Sequence, residues 1–252
     1  EKNFFSGKIL INLDSEDEGE LFIGCAGGVD TLATFAYDTE KVPTNSTAFR
    51  LTVKGLKGGH SGDDIDKGLG NSIKIINRFL WRGVNSYDLR LSMLDGGNLR
   101  NAIPREAYAI FTIHEEDRAA LRKEFTLIKN DILAELHDVE PDLSITFENA
   151  DLPPYVVDEP TQYDLLNALY ACPHGVISMS RQLKGLVETS TNLASVKFIQ
   201  DNQILVTTSQ RSSVESAKKD ISNMVESVFR LANARIQHSD GYPGWTPNTN
   251  SE

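Results

Sequence analysis

Phe49-Arg50-Leu51-Thr52-Val53-Lys54-Gly55, followed at once by Leu56-Lys57-Gly58-Gly59-His60-Ser61-Gly62, is where the chain first declares its architecture. Phe49, Leu51 and Val53 alternate with polar residues, as they do in a strand with one buried face. Beyond the glycine-rich turn, Ile65, Leu69, Ile73, Ile76 and Leu80 recur every three or four residues and draw one apolar stripe along a helix. Leu89, Leu91 and Met93 alternate again. Gly96-Gly97-Asn98 then breaks the chain before the β-rich run Ala107 to Ile113, which predicts an antiparallel pair. Glu115, Glu116 and Asp117 stand where a helix N-terminus favours negative charge, and Leu121, Phe125, Ile128, Ile132 and Leu136 continue at helical spacing. Leu143, Ile145 and Phe147 close the unit as a strand. The order is β-α-β-β-α-β, the split arrangement of a ferredoxin-like layer of helices on an antiparallel sheet.

After the turn-rich Asp151-Leu152-Pro153-Pro154 the theme returns. Helical spacing in Tyr163 to Leu169 precedes strand-like Val176 to Met179. A hairpin is predicted for 192–199 and 204–208, and a helix from Ser213 carries Val214, Ala217, Ile221, Val225, Val228 and Leu231. The sequence therefore predicts an α+β fold of two tandem ferredoxin-like units, at 43–150 and 151–238, forming an antiparallel sheet covered by helices. Residues 1–42 fit neither unit. Their apolar run Ile9 to Leu13 suits a strand buried on both faces of a parallel sheet, which assigns them to a neighbouring domain. Residues 239–252, rich in glycine and proline, read as an exit toward that domain. The opening lacks methionine and runs straight into a strand pattern, so the chain is expected to be a piece of a longer protein.

Composition narrows the functions. With 25 Lys+Arg against 36 Asp+Glu the 252 residues carry a formal charge of −11, which repels phosphate and so argues against nucleic acid or an anionic lipid surface as partner. No apolar run approaches the roughly 20 residues that span a bilayer. Two cysteines, Cys25 and Cys172, form no CxxC, so a disulfide framework is not expected and a reducing cytoplasm fits.

Several residues could carry chemistry. The carboxylate run Asp14 to Glu20 follows the apolar strand, and is either a solvated turn or a holder of a hard cation. His60, bracketed by glycines, is either an ordinary loop residue or an imidazole brought close to a ligand by backbone that only glycine permits. Arg211 either pins an anionic group with its planar fork or is a surface arginine. His238-Ser239-Asp240 and His114-Glu115-Glu116 imitate metal motifs, but both sit at helix ends where their charges are favoured anyway. Cys25 has no histidine nearby in sequence to activate it.

Four stretches in register, Leu13 to Glu20, Lys57 to Gly62, Gly96 to Pro104 and Gly185 to Ala194, give the chain a resemblance to the aminoacyl-histidine dipeptidases, di-zinc enzymes related to carnosinase. The resemblance implies that Asp14 is a metal ligand and that His60 polarises the substrate carbonyl and stabilises the oxyanion. It also implies that Asn101 holds substrate and that Arg211 takes its terminal carboxylate. The family's His-x-Asp strand, bridging aspartate, Glu-Glu pair and final metal histidine are not found here in the expected order. Catalytic zinc needs about three protein ligands and an open position, so the resemblance implies a lid domain with short flanks of a catalytic domain. It is expected to be inactive alone and not to retain the two zinc ions of its cytoplasmic parent. That parent would cleave Xaa-His dipeptides such as β-alanyl-histidine, with a dipeptide, the rest of the catalytic domain and a second copy in a homodimer as partners. A free-standing peptide or small-ligand binding module and a structural dimerisation domain are the alternatives.

Overall fold

In the computed structural model the described residues are 19 and 24–247. Strand β1 (Gly27–Ala36) leads through a short β2 (Thr39–Glu40) into β3 (Ser46–Lys54), the strand expected around Phe49. A two-residue strand, β4 (Gly59–His60), precedes helix α1 (Ser72–Tyr87). The apolar stripe suggests a helix from Ile65. It begins instead at Ser72, because the Asn71 side chain accepts from the N–H groups of Ile73 and Lys74 at 3.0 and 3.2 Å and so caps the first turn. Strands β5 (Arg90–Gly96), β6 (Ala102–Ile103) and β7 (Ala107–His114) follow. A single 3-10 turn holding Glu115, Glu116 and Asp117 then opens α2 (Arg118–Leu136), as the charge pattern predicts, and β8 (Ser144–Ala150) completes this stretch.

The second half comprises β9 (Val156–Val157), α3 (Glu159–Ala171), β10 (Gly175–Met179), β11 (Val187–Ile199), β12 (Gln203–Ser212), α4 (Glu215–Leu231) and β13 (Arg235–His238). Helix α3 starts where Asp158 accepts from Thr161 N at 2.9 Å, with Pro160 in its first turn.

Nine described strands make one sheet in the order β13-β1-β12-β11-β5-β7-β3-β8, with β10 also on β11, and every pairing is antiparallel. The fold is thus mixed α and β, with four described α-helices on a sheet whose described pairings are antiparallel. Two runs of strand-helix-strand-strand-helix-strand occupy it. The first is β3-α1-β5-β7-α2-β8, laid out β8-β3-β7-β5. The second is β1-α3-β11-β12-α4-β13, laid out β13-β1-β12-β11. The second run therefore takes its first strand from before the first run, so one run is nested in the other rather than following it. This departs from the assignment of residues 1–42 to a neighbouring domain. Thr31, Ala33 and Phe35 alternate onto the helix side and are at most 3% exposed, which commits 27–36 to this sheet. The exit segment also returns to it: Gly28 and Tyr242 exchange backbone hydrogen bonds at 3.1 and 2.8 Å. Ile9 to Leu13 lie outside the described residues.

The core lies between helices and sheet. Phe49 stacks on Phe147 at 4.5 Å, Phe147 on Phe125 at 4.8 Å, and Phe79 meets Phe125 edge-on at 5.2 Å. Such rings bury large apolar areas and hold the first run together. Phe35 against Phe229, 6.2 Å apart, does the same for the second.

Candidate functional site

On β12, Val206, Thr208 and Gln210 face the helices, so Ser209 and Arg211 point to the opposite face of the sheet. The same alternation on β11 turns Ser190 and Asn192 that way, yet they are 3% and 0% exposed. Against Asn192 lies a small ribbon in which His60 of β4 pairs with Ala102 of β6. Asn192 Nδ2 donates to Ala102 O at 2.8 Å and fastens the ribbon to the sheet. Ser61 N donates to Asn101 O at 2.9 Å, so the two loops predicted to matter are bound to each other.

Gly62 shows how close the charged groups come. A Cβ built there would lie 3.3 Å from His60 Cε1 and 3.4 Å from Arg211 Nη1, so the imidazole and the guanidinium flank the same glycine. His60 Nδ1 is 2.9 Å from Asp63 Oδ2, and its backbone N–H donates to Asp64 Oδ2 at 2.6 Å. The Lys67 ammonium and the His60 N–H together hold the Asp64 carboxyl below its ordinary range. Arg211 Nε, Ser61 Oγ and Asn192 Oδ1 are buried without hydrogen-bond partners among the described residues, three unmet polar atoms in one region.

Beside them opens a cleft of about 620 Å³, lined among others by Asp30, Arg100, Asn101, Ser209, Arg211 and Tyr242. Arg100 Nη1 sits 2.9 Å from Asp30 Oδ2, which ties the loop carrying exposed Asn101 to β1. A second cleft of about 380 Å³ is also lined by Arg211, together with Gly62, Asp63 and Ser190, so the residue borders both openings.

His60, Asn101 and Arg211 are therefore brought into one region. Asp14 lies outside the described residues. Among those described, no group of three or more His, Cys, Asp and Glu is placed to hold a metal ion, so they do not by themselves fit the zinc pair that the resemblance implies. Neither imitation of a metal motif gathers metal ligands among the described residues, although His238 ends strand β13 and not a helix as the sequence suggests. His238 Nε2 meets Glu226 on α4 at 2.7 Å and its Nδ1 meets Thr31 at 3.0 Å, while Glu115 pairs with Arg118 at 3.0 Å. Asn192, Ser61 and Asp30 escaped the sequence reading as site residues. Asn192 and Ser61 lay within motifs already noted, but only the ribbon across the sheet reveals their burial.

No helix among the described residues is long and apolar enough to cross a membrane. Residues 44–139 match the family described as the M20 peptidase dimerisation domain. Over 249 residues, 99% of this chain and 51% of the relative, the sequence is 39% identical to the cytosol non-specific dipeptidase of Escherichia coli K12. The structure superposes on aminoacylhistidine dipeptidase from Vibrio alginolyticus with a TM-score of 0.92 and 40% identity, covering 99% of this chain and 51% of that one. The chain spans about half the length of these relatives. Residues 44–139 thus match a peptidase dimerisation domain of the M20 type, in a chain that is similar along nearly all its length to about half of a dipeptidase.

Proposed function

We propose that the chain is the lid of a metal-dependent cytosolic dipeptidase that hydrolyses Xaa-His and related dipeptides, β-alanyl-histidine among them. The single observation that carries this reading is the meeting of His60 and Arg211 across Gly62, in a chain so similar to dipeptidases. With Nδ1 turned to Asp63, the imidazole presents Nε2 to the scissile carbonyl and stabilises the oxyanion as it forms. Arg211 binds the substrate's terminal carboxylate with its fork, and the unmet Nε marks capacity for such a partner. Asn101, on the lip of the larger cleft, holds the substrate backbone. Two zinc ions would supply the hydrolytic water in the parent enzyme, with Asp14 as this chain's contribution and the remaining ligands in the other half.

In architectural terms we read two ferredoxin-like units. The first lies within 43–150. The second lies within 151–238 and is completed by β1 from 1–42, and 239–252 lead toward the catalytic domain. A dimerisation role is a second reading, favoured by the match over 44–139, and a homodimer formed through this domain is compatible with a lid.

The test is hydrolysis of a Xaa-His dipeptide with added zinc. The chain alone is expected to be inactive. In the complete polypeptide His60→Ala should lower kcat by about 10²–10³, the usual cost of one oxyanion donor, while Arg211→Ala should act mainly on KM. Turnover by the purified chain that vanishes in Asp14→Ala would sink the lid reading, and full activity in His60→Ala would sink the role given to the imidazole.

A further inference from the structure

Glu140 lies in the turn between α2 and β8, is 2% exposed, and forms no ion pair among the described residues. Burying a carboxyl group without a cation is costly unless hydrogen bonds compensate it. Here both compensating bonds come from one loop: Oε2 accepts from Lys57 N and Oε1 from Gly70 N, each at 2.8 Å. Lys57 and Gly70 bracket the segment that carries His60. One side chain thus closes that segment into a ring at its base.

The geometry between the two ends depends on that closure. Inside the ring His60 N donates to Asp64 Oδ2, and Asp64 N donates back to His60 O at 3.0 Å. Gly70 packs close enough that a Cβ would meet Leu56 at 2.7 Å and Glu140 Cγ at 3.5 Å, so the two ends converge on Glu140. Nothing about Glu140 in the sequence signals this, since it is one of many acidic residues near a helix end.

We infer that Glu140 is a positioning residue for His60: by holding both ends of the 57–70 loop it fixes the imidazole against Arg211. This rests on the reading of His60 as the substrate-facing group. Loss of one bond frees one end, and a small displacement of a catalytic group is expensive in rate.

The test uses Glu140→Gln and Glu140→Asp in the complete polypeptide, with two readouts. Glutamine keeps one acceptor but turns an N–H₂ toward the second backbone N–H. In hydrogen exchange followed by mass spectrometry, peptides from 57–70 should exchange about tenfold faster, the size of one lost hydrogen bond, while those from 46–54 and 107–114 keep their rates. In dipeptide hydrolysis kcat should fall about tenfold or more with KM within about threefold, and Glu140→Asp should recover part of kcat. Unchanged exchange in 57–70, equal acceleration in 46–54, or unchanged kcat would each overturn the inference. If Glu140→Gln does not fold, Glu140→Asp is judged on the same exchange and kcat criteria against the native protein. A His60→Ala variant that retains full activity would instead overturn the function assigned to His60, and the exchange data would still judge the clamp.

Discussion

Replacing His174 by asparagine should remove an acid sensitivity built into the junction between α3 and β10. The imidazole Nδ1 accepts from Leu193 N at 3.3 Å, with Asn71 Nδ2 at 3.4 Å. Beside it Lys74 Nζ donates to the carbonyls of Leu169, Tyr170 and Cys172 at 2.8 to 2.9 Å, capping the end of α3. Burial first, and the Lys74 ammonium second, push the His174 pKa down from its ordinary 6.5 to about 4. The unfolded chain therefore takes up a proton near pH 6.5 while the folded chain resists until about pH 4, so stability falls as pH drops through that window. The difference of about 2.5 units corresponds to about 3 kcal/mol once the window is fully crossed, and about 2 kcal/mol at pH 5. Asparagine offers an oxygen near the place of Nδ1 and does not titrate. Urea denaturation followed by circular dichroism at about pH 7.5 and about pH 5 should show the native chain losing about 2 kcal/mol more than His174→Asn between the two conditions. Equal losses in both would refute the reasoning, because the shared carboxylates would then account for all the acid sensitivity.

Three further outcomes are expected. Phe111, fully buried with Phe49, Phe79 and Phe147 centred 6.0 to 6.1 Å away, should cost about 3–5 kcal/mol as Phe111→Ala in chemical denaturation. Gly97 has φ +67°, and a Cβ there would sit 1.9 Å from Ala194 O, so Gly97→Ala should destabilise by about 1–3 kcal/mol and loosen the β5–β11 junction, visible as faster amide exchange at Val196. Asp30→Asn should change stability by less than about 1 kcal/mol, because its partner Arg100 is 73% exposed. It should nevertheless lower dipeptide turnover in the complete polypeptide by freeing the loop of Asn101.

Strong periodicity made most of the elements legible. The strand at Phe49, the helix ending at Leu136 and the hairpin either side of Asp201 all announce themselves within about ten residues, because each buries one face locally. The start of α1 did not, since a capping asparagine outweighed two apolar residues upstream of it. The membership of β1 was hidden for a different reason. Its partners lie beyond residue 200, and a pairing of that span leaves no mark in a window of sequence. The site shows the same division. His60, Asn101 and Arg211 sit in motifs with a recognisable order, whereas Glu140 and Asn192 act through backbone groups far away in the chain, and hydrogen bonds to backbone carry no sequence signature.

The nesting of one run inside the other also sets a timetable for synthesis. Gly27 pairs with Ser212 and Ala36 with Gln203, so β1 leaves the ribosome about 10–40 s before its partner strand exists, at 5–20 residues per second. Meanwhile the β3 to β8 run, whose described pairings close within 46–150 except where Gly96 of β5 meets Val196 of β11, can collapse on its own. For that interval β1 is an unpaired strand with hydrogen-bonding groups on both edges, open to pairing with a neighbouring nascent chain. Its first two residues are glycine and its middle carries Asp30, Thr31 and Thr34, a composition poor in β-aggregating apolar runs. Polar residues along β1 would then serve the chain twice, once in the finished sheet and once during the wait.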